Sequence, residues 1–245
     1  MLNKNETALH KPKKNVVLFD IGDTLLRQKQ SFSHVVKELF FDSVNHNSDF
    51  DIILKNIITQ QEKTDDSELN IWNSDQSIRN YLYKIYYSML KGSFVNPHQK
   101  SYELISYIQS PNAWALINGA KDILIYLKNK GFIIGVVSNW DSGLENVLQE
   151  KGLCEYFDII VSSAEVGYEK PDCRIFYEVY KKLAQTHPQI DIDQVYMIGD
   201  SFENDVYPSI HMGFNAILIS NNNKSKNIVN NYFVVENLNE IKTII

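Results

Sequence analysis

Asp20, Ser138, Lys170 and Asp200 stand at the ends of four short segments whose residue types suit one reaction, the transfer of a phosphoryl group. The segments are Val16-Val17-Leu18-Phe19-Asp20-Ile21-Gly22-Asp23-Thr24, Val136-Val137-Ser138-Asn139, Glu169-Lys170-Pro171-Asp172 and Met197-Ile198-Gly199-Asp200-Ser201, with Asp205 downstream. A carboxylate such as Asp20 that attacks phosphorus divides hydrolysis into formation and breakdown of an aspartyl-phosphate. Ser138 offers a hydroxyl to a phosphate oxygen, and Asn139 adds a side-chain or backbone donor. Lys170, fixed by the turn that Pro171 imposes, is the cation expected to neutralise charge between nucleophile and phosphate. Two anionic reactants need a bridging counter-charge as well, and hard oxygen ligation fits Mg2+. Each residue also has a plainer reading, Asp20 as a cap and Lys170 as a solvated loop lysine. Their coincidence in one chain favours the chemistry.

The elements around these segments place them together. Val16–Phe19 is a compact apolar run ending in acid and glycine, the pattern of a buried parallel strand that delivers Asp20 at its carboxyl end. Phe132–Val137, Asp158–Val161, Val195–Ile198, Ala216–Ile219 and Tyr232–Val235 read as further strands. Helical spacing lies between them: Ile123, Leu124 and Leu127 before Gly131, Leu144, Val147 and Leu148 before Gly152, and Ile175, Phe176 and Val179 behind an Asp172 cap. The alternation predicts an α/β fold, a Rossmann-like three-layer core with a parallel sheet, in which ligands bind beyond the carboxyl ends of the strands. All four segments fall at those ends.

From about Arg27 to Trp114 the pattern changes to amphipathic helices without strands. The expected apolar stripes are Val35, Val36, Leu39 and Phe40; Ile52, Ile53, Asn56 and Ile57; Ile78, Leu82, Ile85 and Met89; and Tyr102, Ile105 and Ile108. Ser110-Pro111-Asn112 reads as the return crossing. The expected division is a core of residues 1–26 and 115–245 interrupted by an all-helical insert over 27–114. Aromatics of the insert, Trp72, Tyr81, Tyr83, Tyr86 and Tyr87, read as packing. Trp140 and Asp141 read either as lining of the entrance or as a packed ring and a helix cap.

Taken together, the four segments resemble the haloacid dehalogenase-like (HAD) hydrolase superfamily, most of whose members are magnesium-dependent phosphatases. The resemblance covers the core, and for the insert it covers the helical character alone. It implies that the insert is a cap domain closing over the site. It implies Asp20 as nucleophile and metal ligand, Asp200 as the second side-chain ligand, and the backbone carbonyl of Gly22 as a third. Thr24 lies where the family places a hydroxyl beside the phosphate loop. Asp205 follows at the family spacing, open between orienting the metal ligands, taking a place among them, and capping the next helix.

One position departs from the family pattern DxDx[T/V]. Its second Asp protonates the departing alcohol and later deprotonates the attacking water, and here that position is Gly22. General acid-base help is typically worth ~10²–10⁴ in rate. Asp23 as a surrogate, a Glu or His from the insert, or an aryl or acyl phosphate substrate would each answer the loss. Strand alternation sets Asp23 on the face opposite Asp20 and Gly22. The dehalogenase branch of the superfamily also lacks that Asp, but a metal-binding acidic segment has no task in halide displacement. A third reading is a catalytically weak phospholigand sensor signalling through cap closure.

Bulk properties narrow the partners. The 245 residues are 44% hydrophobic and 22% charged with net charge -6, which fits a folded chain and gives no electrostatic reason to bind nucleic acid. No apolar run approaches the ~20 residues that cross a bilayer. The stretch with Lys4, Lys11, Lys13 and Lys14 reads as a solvated tail without a signal peptide. With Cys154 and Cys173 as the available thiols, a cytoplasmic setting is expected. The six histidines, His10, His34, His46, His98, His187 and His211, lack ligand spacing, and Asn221–Lys226 reads as a polar loop. The expected partner is a small phosphorylated metabolite.

Overall fold

The computed structural model describes residues 15–43, 48–64, 70–220 and 232–245. The basic opening stretch, His10, His46 and the polar loop Asn221–Lys226 lie outside the described residues. The chain runs β1 (Val16–Phe19), β2 (Leu26–Gln28), α1 (Phe32–Leu39), α2 (Phe50–Thr64), α3 (Asp75–Leu90), α4 (Pro97–Ile108), β3 (Trp114–Leu116), α5 (Ala120–Asn129), β4 (Ile133–Ser138), α6 (Leu144–Glu150), β5 (Ile159–Ser162), α7 (Ser163–Val166), α8 (Cys173–Thr186), β6 (Val195–Gly199), α9 (Tyr207–His211), β7 (Asn215–Ile219) and β8 (Tyr232–Val235).

All four residues of β1 are fully buried. Their side chains alternate between two cores: Val17 and Phe19 pack with Ile123 and Leu127 of α5 and Val147 of α6, whereas Val16 and Leu18 pack with Ile175, Phe176 and Val179 of α8. Helices on both faces explain why the strand reads as an uninterrupted apolar run, and each such burial stabilises by about 1.5–3 kcal/mol. The six strands pair in parallel in the order β5-β4-β1-β6-β7-β8. This is the Rossmann-like three-layer arrangement expected from the sequence. Asp172 caps α8 by accepting from the Arg174 N–H, and Gly131 and Gly152 follow α5 and α6 in the left-handed region.

The chain leaves β1 for β4 and β5 on one side, then returns to β6 on the other. The strand order therefore reverses beside β1, the place where ligands bind in open α/β sheets.

Helices α1 to α4 build a core of their own around Phe32, Val36, Phe50, Ile85, Leu90 and Leu104. Three expected stripes are corrected here. On α1, Val35 and Val36 are buried with Phe40 just beyond the helix, but Leu39 is exposed. On α2, Ile52 and Ile53 are exposed, and the buried side runs through Phe50, Leu54, Ile57 and Ile58. On α4, Tyr102 faces outward and stacks on Tyr83 at 5.1 Å, while Leu104 and Ile105 turn inward. The insert is also not helical throughout. At its base β2 and β3 form an antiparallel ladder that pairs Leu26 with Leu116 and Gln28 with Trp114, holding the outgoing and returning chains side by side.

Candidate active site

Asp20 follows β1, Ser138 ends β4, Asp200 follows β6, and Lys170 comes from the loop between α7 and α8. The β1 pairing continues one step past the strand, as the Asp20 N–H donates to the Ile198 carbonyl at 2.9 Å. Asp20 is thereby held at the sheet rim, 7% exposed.

Lys170 Nζ donates to Asp20 Oδ1 at 2.6 Å and to Asp205 Oδ1 at 2.5 Å, and the Ser138 hydroxyl donates to the same Asp20 Oδ1 at 3.0 Å. Both contacts to Asp20 use one oxygen. Burial opposes the charge on Lys170, but the carboxylates of Asp20 and Asp205 outweigh it and hold its pKa above the ordinary lysine value. Burial in turn pushes the Asp205 carboxyl upward, against the pull of Lys170. The Lys170–Asp205 ion pair was not legible in the sequence, since the two residues lie 35 apart and neither segment signals the other.

Asp205 sits in a π-helical turn, Phe202–Val206, a rare geometry that is frequent at functional sites. Its Oδ2 accepts from the Ser201 N–H at 3.0 Å. The carboxylate packs against Gly199 so closely that a Cβ there would fall 2.1 Å from Oδ2 and 2.6 Å from the Asp205 Cβ. Glycine before Asp200 is thus a requirement of this close approach. Gly199→Ala is expected to displace Asp205 from Lys170, destabilise the protein by about 1–3 kcal/mol, and lower turnover with it. Denaturant midpoints and kcat on the same preparation check this, and unchanged values for both would contradict it.

Asn139 lines the cavity and also holds Lys170. Its Oδ1 accepts from the Lys170 N–H at 2.7 Å and its Nδ2 donates to the Lys170 carbonyl at 2.8 Å, so its side chain clamps the lysine backbone and keeps one Nδ2 hydrogen uncommitted by this pairing. Thr24 is buried, with its hydroxyl 3.5 Å from Asp200 Oδ1, and does not line the cavity. Asp23 does line it. The strand ends at Phe19 and Asp23 adopts a left-handed φ of 54°, so the alternation argument that set it on the far face does not extend to it. Gly22 lines the cavity as well.

Carboxylate oxygens of Asp20, Asp200 and Asp205 lie within 4.8 Å of one another. Asp200 is the most accessible of the three; loss of solvent around its carboxyl, then the charges of Asp20, Asp205 and Asp23, push its pKa up to about 6. Crowded, hard oxygen donors with one lysine among them fit a divalent cation such as Mg2+. Among the described residues no histidine joins this group.

The cavity over these groups has a volume of about 390 Å³. Trp72, which read as packing, lines it, as do Gln109 and Asn204, which carried no sequence signal, and Trp140 and Asp141 line it while also serving locally. Trp140 is packed, 6% exposed, and Asp141 accepts from the Gly143 N–H at 2.8 Å and from Gln109 Nε2 at 2.9 Å. Ser142 reaches the insert too, donating from its N–H and hydroxyl to Asp75 at 2.8 and 2.6 Å. The Trp72 N–H donates to Glu169, adjacent to Lys170. Polar contacts thus hold the helical insert over the sheet rim.

Comparison with known proteins decides the family. The model of the haloacid dehalogenase-like hydrolase family matches residues 17–219. The chain belongs to that family. Among relatives, haloacid dehalogenase-like hydrolase domain-containing protein 3 of Bos taurus is 35% identical over 118 residues, which cover 48% of this chain and 45% of that protein. Glyceraldehyde 3-phosphate phosphatase of Methanothermobacter thermautotrophicus is 37% identical over 101 residues, covering 40% and 41%. The chain thus matches these curated relatives over less than half their length. The HAD-hydrolase YfnB of Bacillus subtilis, solved bound to magnesium, superposes with a TM-score of 0.70 at 21% identity over 95% of this chain and 98% of that one. That likeness shows the HAD fold.

Proposed function

We propose that this HAD-family chain is a Mg2+-dependent phosphatase that hydrolyses a small phosphomonoester through an aspartyl-phosphate on Asp20. The observation that carries the reading is the bridging of Asp20 and Asp205 by Lys170, with Asp200 alongside. Lys170 and Ser138 fix Oδ1 of Asp20 and leave Oδ2 as the attacking atom. Asp200, the Gly22 carbonyl and Asp20 would hold the metal, with Asp205 beside them. When bound, magnesium supplies the positive charge that lets carboxylate and phosphate meet. With Ser138 on Asp20 Oδ1, the third N–H of the Lys170 ammonium then faces a phosphate oxygen, and the loop amides after Asp20 add donors. An acidic cluster of this kind speaks against halide displacement.

Residues 1–26 and 115–245 form the catalytic core in this reading, and residues 27–114 the cap that selects substrate. Among the described residues no helix is long and apolar enough to cross a membrane. The free thiols of Cys154 and Cys173 suit a cytoplasmic setting. A phosphate-release screen across small phosphomonoesters tests the function. Release that requires Mg2+ and stops on chelation is expected. Metal-independent halide release from a chloroacid would replace this reading with the dehalogenase one, and tight metabolite binding without turnover would replace it with the sensor.

A further inference from the structure

The cavity that holds the acidic cluster is lined by tryptophan as well. The chain has three tryptophans, and Trp72, Trp114 and Trp140 all line this one space. They arrive from the turn before α3, from β3 and from the loop after β4. Trp114 and Trp140 have ring centroids 4.5 Å apart, and the Trp114 indole N–H donates to the Ile108 carbonyl at 3.0 Å, which fixes its plane. Trp72 is tied through its backbone, the N–H to Glu169 and the carbonyl to the Ser163 hydroxyl. Its ring is therefore free of that anchoring task, and both Trp72 and Trp114 stay partly accessible.

Charge narrows the occupant further. Asp20, Asp23, Asp141, Asp200 and Asp205 line the cavity, and Lys170 is the one lysine or arginine among the described lining residues. Even with one divalent cation the balance repels a leaving group that carries its own carboxylate. Gly22 offers no proton to a departing oxygen, which favours a leaving group that is stable as an anion.

We propose that the substrates are phosphate monoesters of planar aromatic alcohols without an acidic substituent, whose ring lies against Trp72 and Trp114. This names the substrate class of the phosphatase proposed above and rests on that reading. Asp20 Oδ2 forms a bond to phosphorus as the bond from phosphorus to the aryl oxygen breaks, and the electron pair leaves on that oxygen, spread over the ring. The aryloxide afterwards takes a proton from water. A second water adds to phosphorus as the bond from phosphorus to Asp20 Oδ2 breaks with its electron pair returning to the carboxylate, and the water's proton goes to solvent as inorganic phosphate leaves.

The test measures kcat/KM with Mg2+ for 2-naphthyl phosphate and for acetyl phosphate, which has a good leaving group and no ring, in wild type, Trp72→Leu and Trp72→Phe. The ratio of naphthyl to acetyl is expected to fall about tenfold in Trp72→Leu, with most of it restored in Trp72→Phe. An unchanged ratio in all three proteins overturns the ring assignment and leaves the phosphatase reading standing. Release from neither compound overturns both. If Trp72→Leu does not fold, inhibition of wild-type acetyl phosphate turnover by 2-naphthol and by decahydro-2-naphthol reads the same wall: tighter naphthol binding supports the proposal, and equal binding overturns it.

Discussion

Asp20→Asn is expected to lower kcat by roughly 10⁴-fold or more, the scale on which loss of a nucleophile is felt, while the protein melts at or above the wild-type temperature. The two halves of the expectation have separate causes. The amide cannot form the aspartyl-phosphate, so turnover is lost at the first step. The fold is spared because the side chain keeps its shape, Lys170 keeps Asp205 at 2.5 Å, and one negative charge leaves a cluster in which three carboxylates crowd within 4.8 Å. Activity and thermal melts on one preparation separate this variant from Gly199→Ala, where both quantities should fall. Full residual activity in Asp20→Asn would remove that carboxylate from the mechanism.

Gly22→Asp carries the second large effect, in the opposite direction. A Cβ built at Gly22 meets nothing within 4 Å, and its φ lies outside the left-handed region, so neither packing nor backbone demands glycine there. Position 22 lines the cavity, where a carboxyl surrounded by Asp20, Asp23 and Asp200 would hold its proton more readily than a free one. That suits an acid which must protonate a departing alkoxide. The expected gain in kcat is about 10² for an alkyl phosphate such as glycerol phosphate, at the lower end of general acid catalysis. It should be much smaller for an aryl phosphate, whose oxygen departs unprotonated. Equal gains on both, or none on either, would show that the missing acid does not limit this enzyme.

How much of this was legible beforehand depends on how local the physics is. The six core strands could be read because strands covered on both faces appear as short apolar runs, as in Val16–Phe19. Gly199 and Asp200 could be placed at a strand end for the same reason. The antiparallel pair β2 and β3 escaped notice because three residues give period-two alternation too little length. On α2 the apolar residues Ile52, Ile53, Leu54, Ile57 and Ile58 fit more than one helical face, and the neighbouring helices decide which is buried. Residue chemistry suggested Asn139 as a phosphate donor, and what it did not reveal is the clamp of its side chain on the Lys170 backbone, a pairing 31 residues apart that no local pattern encodes. Trp72 read as packing. Its convergence with Trp114 and Trp140 depends on the insert folding back over the sheet; the one signal available was that the chain has so few tryptophans.

The central claim, that Asp20 is transiently esterified to phosphorus, is open to one direct measurement. Crystals soaked with Mg2+ and beryllium fluoride should show the fluoride adduct bonded to Asp20 Oδ2, with Lys170 and Ser138 still on the Oδ1 side and the cation against Asp200. A soak at saturating fluoride that leaves Asp20 unmodified, or places the adduct on another side chain, would contradict the account.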